Sequence, residues 1–245
     1  MLRMKPKSIL VVTPTYREFD NLEEFTSALW ASCPTAHLLV VDDASGDGTP
    51  EWVRNHAHFG ESLFLIERPG KQGLASAYLS GFSWALERDY DVIVQMDADL
   101  SHDPASVPDL LLAESGGADL VLASRYLDGV RVLNWPLERL CLSVMAAHYV
   151  KIVTGMPFTD PTGGFKCWRR DLLHAFDFSA IRSSGYSFQV EMTHTAWRFG
   201  AEIAEVPIIF EDRHAGDSKM SSSIAREAVW QVLRLGVKGR FARKP

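Results

Sequence analysis

The chain has 245 residues, of which 47% are hydrophobic and 23% charged, and this composition excludes disordered, collagen-like and fibrous proteins. The formal charge of -6 argues against a dedicated nucleic-acid-binding protein. Three widely spaced cysteines, Cys33, Cys141 and Cys167, support neither a disulfide framework nor a structural zinc site.

The first half of the chain alternates short apolar runs with helical patterns. The apolar runs predict strands at Ser8–Thr13, His37–Val41, Leu63–Ile66, Asp91–Met96 and Leu120–Ala123. Helices are predicted between them, the first with Asp20 as its cap and the others at Trp52–Phe59, Leu74–Arg88 and Val107–Glu114. This order predicts βαβ units and an α/β fold with a mostly parallel sheet.

The second half is less regular. Its patterns predict helices at Leu137–Val153, Phe188–Phe199 and Ser221–Leu235, with a strand at Ile203–Phe210. From Arg226 onward, six basic residues and one acidic residue give a local charge of +5, while 19 basic and 30 acidic residues give the remainder -11. A basic end on an acidic body suggests a surface function for that end, and a solvated helix end is the alternative.

No apolar run approaches the ~20 residues that span a bilayer. The basic segment Met1–Lys7 precedes an apolar run that is too short for a signal-peptide core. We therefore expect a soluble, intracellular protein.

Polar residues follow each predicted strand of the first half. In an open parallel sheet, ligands bind beyond the carboxyl ends of the strands, so these residues should meet at one edge. They are Pro14, Tyr16 and Glu18, then Asp42 and Asp43, then Gly70, Lys71 and Gly73, then Asp97 and Asp99, and finally Ser124 and Arg125. The chain lacks the glycine-rich motifs of P-loop and dinucleotide-binding proteins.

Asp97-Ala98-Asp99 is the most informative of these sets. Two carboxylates at i and i+2 at a strand end can reach one hard divalent cation, Mg²⁺ or Mn²⁺, which would also bind nucleotide phosphates. The alternative is an acidic turn that caps a later helix.

A second set is basic and comprises Arg125, Arg139, Arg213 and Lys219. Arginine matches phosphate oxygens with two parallel hydrogen bonds. Taken singly, each arginine is better explained by a surface ion pair, so the set carries weight only against a family pattern.

The ordered motifs resemble those of GT-A, family 2 glycosyltransferases, and most of all the dolichyl-phosphate (polyprenyl-phosphate) mannose synthases. The resemblance covers about residues 8–223 and rests on the segments 14–18, 41–49, 97–102, 124–126, 160–166, 185–192, 206–208 and 212–221. It implies a GT-A catalytic domain over residues 1–223, followed by a basic amphipathic helix or tail at 224–245.

The resemblance also implies roles for single residues. Pro14, Tyr16, Glu18, Val41 and Asp43 would cradle the nucleoside of GDP-mannose, and Asp97 and Ala98 would lie near the ribose and diphosphate. Asp99, with Asp97 and Ser101, would hold Mg²⁺ or Mn²⁺. Arg125, Arg213 and Lys219 would bind the donor diphosphate or the acceptor phosphate, and Arg139 would face the acceptor.

The implied reaction transfers mannose, with inversion, to the phosphate of a dolichyl or polyprenyl lipid. A phosphate monoester is already anionic at neutral pH, so such an acceptor needs cations to orient it rather than a base. The carboxylates of Asp160, Glu191 and Asp212 could act as a base, so a hydroxyl acceptor is an alternative to a phosphate acceptor. UDP-glucose or another nucleotide sugar is an alternative donor, and a non-catalytic binding protein is a further alternative.

Two departures from the family pattern are visible. Relatives often carry a second arginine after the Arg139 position, where this chain has Leu142-Ser143-Val144-Met145. Many relatives also carry C-terminal transmembrane helices, which this chain lacks. We therefore expect a peripheral enzyme on the cytoplasmic face of a membrane. It would dock through Leu133–Val153, through its tail, or through an anchoring partner protein.

Overall fold

The computed structural model describes residues 7–185, 187–211 and 222–241. Its strands are β1 Ile9–Thr15, β2 Ala36–Asp42, β3 Leu63–Glu67, β4 Val92–Gln95, β5 Leu120–Ser124, β6 Val132–Leu133, β7 Lys166–Arg169, β8 Ile203–Pro207 and β9 Phe210–Glu211. Its α-helices are α1 Phe19–Ser32, α2 Thr49–Asn55, α3 Leu74–Leu86, α4 Val107–Ser115, α5 Leu137–Thr154, α6 Arg170–His174, α7 Ser187–Arg198 and α8 Ser222–Phe241.

Seven of these strands form one sheet in the order β3-β2-β1-β4-β7-β5-β8. Every neighbouring pair is parallel except the two that β7 makes, with β4 and with β5. The α/β fold with a mostly parallel sheet is thus confirmed. The sequence did not indicate β7, because a four-residue run with charged ends has no strand periodicity of its own.

The sheet is covered on both faces, and each face has its own core. Along β1, Leu10 and Val12 belong to the cluster that includes Tyr78 and Phe82 of α3, whereas Val11 belongs to the cluster that includes Phe25 of α1. This alternation explains why the strands read as continuous apolar runs.

Helix α3 crosses β1 at very short range. A Cβ atom added to Gly81 would lie 2.4 Å from Cγ1 of Val12, so no larger side chain fits without displacing the helix. This close approach sets the distance between α3 and β1.

Several predicted boundaries were wrong. Asp20 does not cap α1, because the helix begins at Phe19 with Glu18 at the N-cap position, and Asp20 lies in the first turn. Helix α2 starts at Thr49, three residues before Trp52, with Gly48 in a left-handed conformation at its N-cap and Pro50 in its first turn. The predicted strand Ile203–Phe210 is divided into β8 and β9.

Helix α8 packs against α5 and α7. Val232 and Leu235 are buried in the same core as Tyr78, while Trp230 on the opposite side is 71% exposed. Among the helices of the described ranges, none combines the length and apolar character needed to cross a bilayer.

Candidate active site

The carboxyl ends of β1, β2, β4 and β5 meet at one edge of the sheet, as the strand-end residues predicted. The Asp43 amide donates to the Thr15 carbonyl at 2.9 Å, which ties the ends of β1 and β2 together. Because β7 runs in the opposite direction, the loop before it, residues 160–165, reaches this edge as well.

Asp42 and Asp43 organise the loops after β2 and β3. Asp42 is buried and accepts from the Thr15 hydroxyl at 3.0 Å and from the Ser45 amide at 3.0 Å. Asp43 forms a buried ion pair with Arg68 at 2.8 Å. It also accepts from the amides of Gln72 and Gly73, so residues 68–73 fold over it.

Arg68 was missed by sequence reasoning. It lies one residue after β3, and only the folded loop shows that its guanidinium faces Asp43. The same loop carries Lys71, whose ammonium lies 3.7 Å from the centre of the Tyr16 ring. Tyr16 thus presents a ring with a cation over it at this edge.

The other predicted nucleoside residues lie on or directly after β1, β2 and β4. Pro14 is half-buried within β1. The Glu18 carboxylate accepts a hydrogen bond from the side-chain amide of Asn21 at 2.9 Å. Val41 and Ala98 are buried, and Val41 packs into the core on the α3 side of the sheet. A ligand at this edge would therefore meet the main chain of Val41 rather than its side chain.

Asp97 and Asp99 sit in a tight turn after β4, in which Leu100 has a φ of 60°. The half-buried Asp97 accepts from the Tyr78 hydroxyl at 2.6 Å. Burial and the neighbouring Asp97 charge raise the pKa of Tyr78 well above its ordinary value, so this phenol remains a hydrogen-bond donor. Asp99 is buried and accepts from both the amide and the hydroxyl of Ser101.

This turn has the donor set that a magnesium or manganese ion prefers. Two carboxylates two residues apart supply hard oxygen ligands, and such ions take one or two protein carboxylates together with substrate phosphates. Within the described ranges no group of three or more His, Cys, Asp and Glu residues could hold a metal. The residues therefore fit an ion shared with a ligand rather than an ion enclosed by protein.

His102 connects this turn to the rest of the site, and sequence reasoning did not assign it a role. Its Nδ1 accepts from the Asp97 amide at 3.2 Å. Its ring lies 5.2 Å from the ring of Phe165 and 5.4 Å from that of Phe210. The sequence did not indicate this position, because both aromatic neighbours of His102 are distant from it along the chain.

A buried polar network lies at the start of β7, which runs between β4 and β5. Lys166 Nζ donates to the Gln189 carbonyl at 2.7 Å and to its side-chain oxygen at 3.1 Å, and Gln95 donates to that same oxygen at 2.6 Å. Burial lowers the pKa of Lys166 to about 7, although the charge of Asp160 opposes this shift.

Arg125 is held by the loop before β7. It donates to Asp160 through Nε at 2.7 Å and through Nη2 at 2.8 Å, and Nη2 also donates to Thr162 at 2.9 Å. Burial alone would raise the pKa of Asp160, but the Arg125 guanidinium outweighs burial and lowers it. Asp160 is fully buried, so the pair is an internal one and fixes where Arg125 points.

Arg139 lies in the first turn of α5, and its guanidinium carbon is 4.1 Å from the centre of the Trp135 ring. Trp135 in turn meets Phe210 edge-to-face, with ring centres 5.4 Å apart. Because Phe210 also contacts His102, one line of rings joins the carboxylate turn to the two arginines.

The predicted residues Arg213 and Lys219 lie outside the described residues, as do Asp212 and Tyr186. The segment that lacks a second arginine, residues 142–145, belongs to the middle of α5. Leu142 and Met145 are 50% and 61% exposed there.

Similar solved structures define the fold class. Glucosyl-3-phosphoglycerate synthase from Mycobacterium tuberculosis, in complex with Mn²⁺, UDP and phosphoglyceric acid, superposes with a TM-score of 0.70 at 18% identity, covering 94% of this chain and 79% of that one. A mannosyltransferase from Pyrobaculum calidifontis, in complex with GDP-Man and Mn²⁺, gives a TM-score of 0.51 at 16% identity, covering 96% and 74%. The fold is the GT-A fold.

The sequence places the chain more narrowly. Residues 10–176 match the model of glycosyl transferase family 2, and the chain belongs to this family. It is 45% identical to an undecaprenyl-phosphate mannosyltransferase from Micrococcus luteus, over 95% of this chain and 96% of that protein. It is 43% identical to a polyprenol monophosphomannose synthase from Mycolicibacterium smegmatis, over 96% and 89%.

Proposed function

We propose that this protein transfers mannose from GDP-mannose to the phosphate of a polyprenyl lipid of the dolichyl or undecaprenyl type, with inversion at the sugar carbon. The observation that carries the proposal is the near full-length similarity to two polyprenyl-phosphate mannosyltransferases. The geometry supports it, because one edge of the sheet presents a carboxylate pair beside an arginine pair.

On the donor side, Tyr16 and the residues around it would hold the nucleoside, namely Pro14, Glu18, Val41, Asp43 and Ala98. Asp97 and Asp99, with Ser101 positioning Asp99, would hold Mg²⁺ or Mn²⁺, which when bound neutralises the charge of the diphosphate leaving group. The hydrogen bond from Ser101 to Asp99 supports this positioning role.

On the acceptor side, Arg125 and Arg139 would orient the lipid phosphate, together with Arg213 and Lys219. A phosphate oxygen would attack the sugar carbon opposite the diphosphate. The new carbon–oxygen bond forms as the bond to GDP breaks, and no proton has to be removed from the acceptor.

Two of the three acidic residues that could act as a base for a hydroxyl acceptor lie in the described part of the chain, and both have partners. Asp160 is fully buried against Arg125. Glu191 is buried and accepts from the amides of Arg182 and Ser183, at 3.0 Å and 2.7 Å. Neither carboxylate is placed to remove a proton from a sugar hydroxyl, which favours the phosphate acceptor.

A lipid acceptor requires contact with a membrane, and we propose peripheral docking at its cytoplasmic face through α5 and α8. These packed helices expose large apolar side chains: Leu137, Leu142, Met145 and Ile152 on α5, and Val229, Trp230, Leu233 and Val237 on α8. The basic residues at the end of the chain would add attraction to anionic lipid. An anchoring partner protein is the alternative means.

The decisive experiment is a donor panel with a polyprenyl phosphate in detergent. Purified protein is incubated with labelled GDP-mannose, GDP-glucose, UDP-glucose or UDP-N-acetylglucosamine, with Mg²⁺, with Mn²⁺ or with chelator, and lipid-extractable label is counted. We expect label from GDP-mannose alone and only with metal, and cleavage of the product should show the inverted anomer. Label from UDP-glucose instead would overturn the donor, and transfer only to a dephosphorylated polyprenol would overturn the acceptor.

A further inference from the structure

The indole N–H of Trp135 has no hydrogen-bond partner in the described ranges, although its nitrogen is buried from solvent. A buried donor of this kind is costly, and nearly all such groups in native proteins have a partner. The Trp135 indole can only donate, so the missing partner must be an acceptor.

The surroundings of Trp135 favour an anion. The guanidinium carbon of Arg139 lies 4.1 Å from the ring centre and that of Arg125 lies 5.8 Å from it. Arginine carries its charge at all relevant pH values. An acceptor that reaches the indole nitrogen therefore lies beside two guanidinium groups, of which that of Arg125 is paired with Asp160, and a phosphate oxygen matches these donors.

The position of Trp135 relates it to the carboxylate turn. Phe210 contacts both Trp135 and His102, with ring centres 5.4 Å away in each case. His102 in turn accepts a hydrogen bond from the backbone amide of Asp97. Trp135 thus lies on the arginine side of the site, two rings away from the proposed metal carboxylates.

We propose that the Trp135 indole N–H donates a hydrogen bond to a phosphate oxygen of the bound substrates. This inference rests on the proposed function and adds a residue to it. The phosphate is either that of the lipid acceptor or the diphosphate of the donor, since the two share this chemistry. Trp135 would also hold Arg139 in place, because its ring supports the guanidinium.

The test replaces the N–H while keeping the ring. One variant carries 3-benzothienylalanine at position 135, in which sulfur replaces the indole N–H, and a second is Trp135→Phe. The matched control is Trp84→Phe, since Trp84 also lies under an arginine four residues later, with Arg88 3.7 Å from its ring centre, but on a helix end away from the site. Thermal midpoints check that each variant folds.

Two binding measurements separate the sources of phosphate: calorimetry with GDP and Mn²⁺, and calorimetry with geranylgeranyl phosphate in detergent. We expect both position-135 variants to bind one of the two ligands roughly 10–100-fold more weakly, because one charge-assisted hydrogen bond is lost. The control variant should bind both ligands as the wild type does. The KM for the corresponding substrate should rise by the same factor.

Binding of both ligands within about twofold of wild type by the benzothienylalanine variant would overturn the inference, whatever the phenylalanine variant does. Because the readout is binding, the inference is tested even if the donor panel finds no mannose transfer. If the wild type transferred no mannose, but the position-135 variants still bound one ligand more weakly, only the proposed function would be contradicted.

Discussion

The two sides of the active-site edge hold their charges in opposite ways. On the acidic side, Asp99 is held by the amide and hydroxyl of a neighbouring serine, which are neutral donors. On the basic side, Arg125 is held by a buried carboxylate and Arg139 by an aromatic ring. The acidic side is thus held by hydrogen bonds within one turn, whereas the basic side is held by an ion pair and a cation–π contact.

This difference teaches that the position of Asp99 is set within its own turn, whereas that of Arg125 depends on a carboxylate 35 residues away. The line from His102 through Phe210 to Trp135 separates the carboxylates from the arginines. His102, Phe210 and Trp135 thus form a continuous set of ring contacts between the carboxylate turn and Arg139.

Removal of the Asp99 carboxylate should have the largest effect on activity, because the acidic side depends on it. Asp99→Ala should lower metal-dependent transfer by roughly 10²–10³-fold or more, as measured by lipid-extractable mannose over a Mn²⁺ titration. Asp103→Ala is the control, since Asp103 is exposed and caps only a short 3₁₀ helix. Near-normal activity of Asp99→Ala would remove this residue from the metal site.

On the basic side, breaking the internal ion pair should cost stability. Asp160→Asn leaves Arg125 without its counter-charge and should lower the free energy of unfolding by about 3 kcal/mol at neutral pH, measured by urea denaturation. The pKa of Asp160 is lowered in the folded state, so this stabilisation is present at neutral pH and is lost as the pH falls below about 4.

The gap between wild type and Asp160→Asn should therefore close on acidification. Asp177→Asn provides the control, because Asp177 is an exposed cap of a short helix. An equal effect of the two substitutions at neutral pH would contradict an internal role for Asp160.

Lys166 is buried at the start of β7, and its burial predicts that the stability of the protein depends on pH in the alkaline range. Its pKa falls to about 7 in the folded protein but is ordinary when unfolded, so the unfolded chain binds more protons between these values and stability rises with pH. Relative to Lys166→Met, the wild type should gain on the order of 1–3 kcal/mol from about pH 7 to pH 9.5.

Urea denaturation across that range measures this gain. Lys151→Met serves as control, because Lys151 is exposed on α5 and donates only to the Pro157 carbonyl. Parallel stability curves for wild type and Lys166→Met would show that the lysine does not titrate in this range.

The smallest expected effect concerns the apolar surface of α5 and α8. Trp230→Ala should weaken binding to anionic liposomes by roughly 3–10-fold in a sedimentation assay, since less apolar area is buried, and should leave the thermal midpoint unchanged. Leu112→Ala is the control, as Leu112 is 73% exposed on α4, which packs on the opposite face of the sheet. Equal binding by both variants would place the docking surface elsewhere.

Much of the fold could be predicted from the sequence because its signals are local. Continuous apolar runs marked β1 to β5, and the polar residues after them were expected at one edge, where the structure places Asp43, Asp97 and Arg125. The family motifs are likewise local strings, so they identified a glycosyltransferase before any contact was known.

The partners of these residues were not predictable. Arg125 and Asp160 are 35 residues apart, and Asp43 and Arg68 come from different strand ends. Strand β7 has almost no pattern of its own and exists because β4 and β5 provide edges on both sides of it. Each of these features depends on loop closure over long separations.

The sequence by itself determined the order of elements, the edge of the sheet at which the polar strand-end residues meet and the residue types available there. Only the tertiary structure decided which charges are engaged in ion pairs and hydrogen bonds. The physical reason is that backbone pattern and residue chemistry are properties of short segments. Burial, ion pairing and an indole that has no partner among the described residues arise only when distant segments exclude water together.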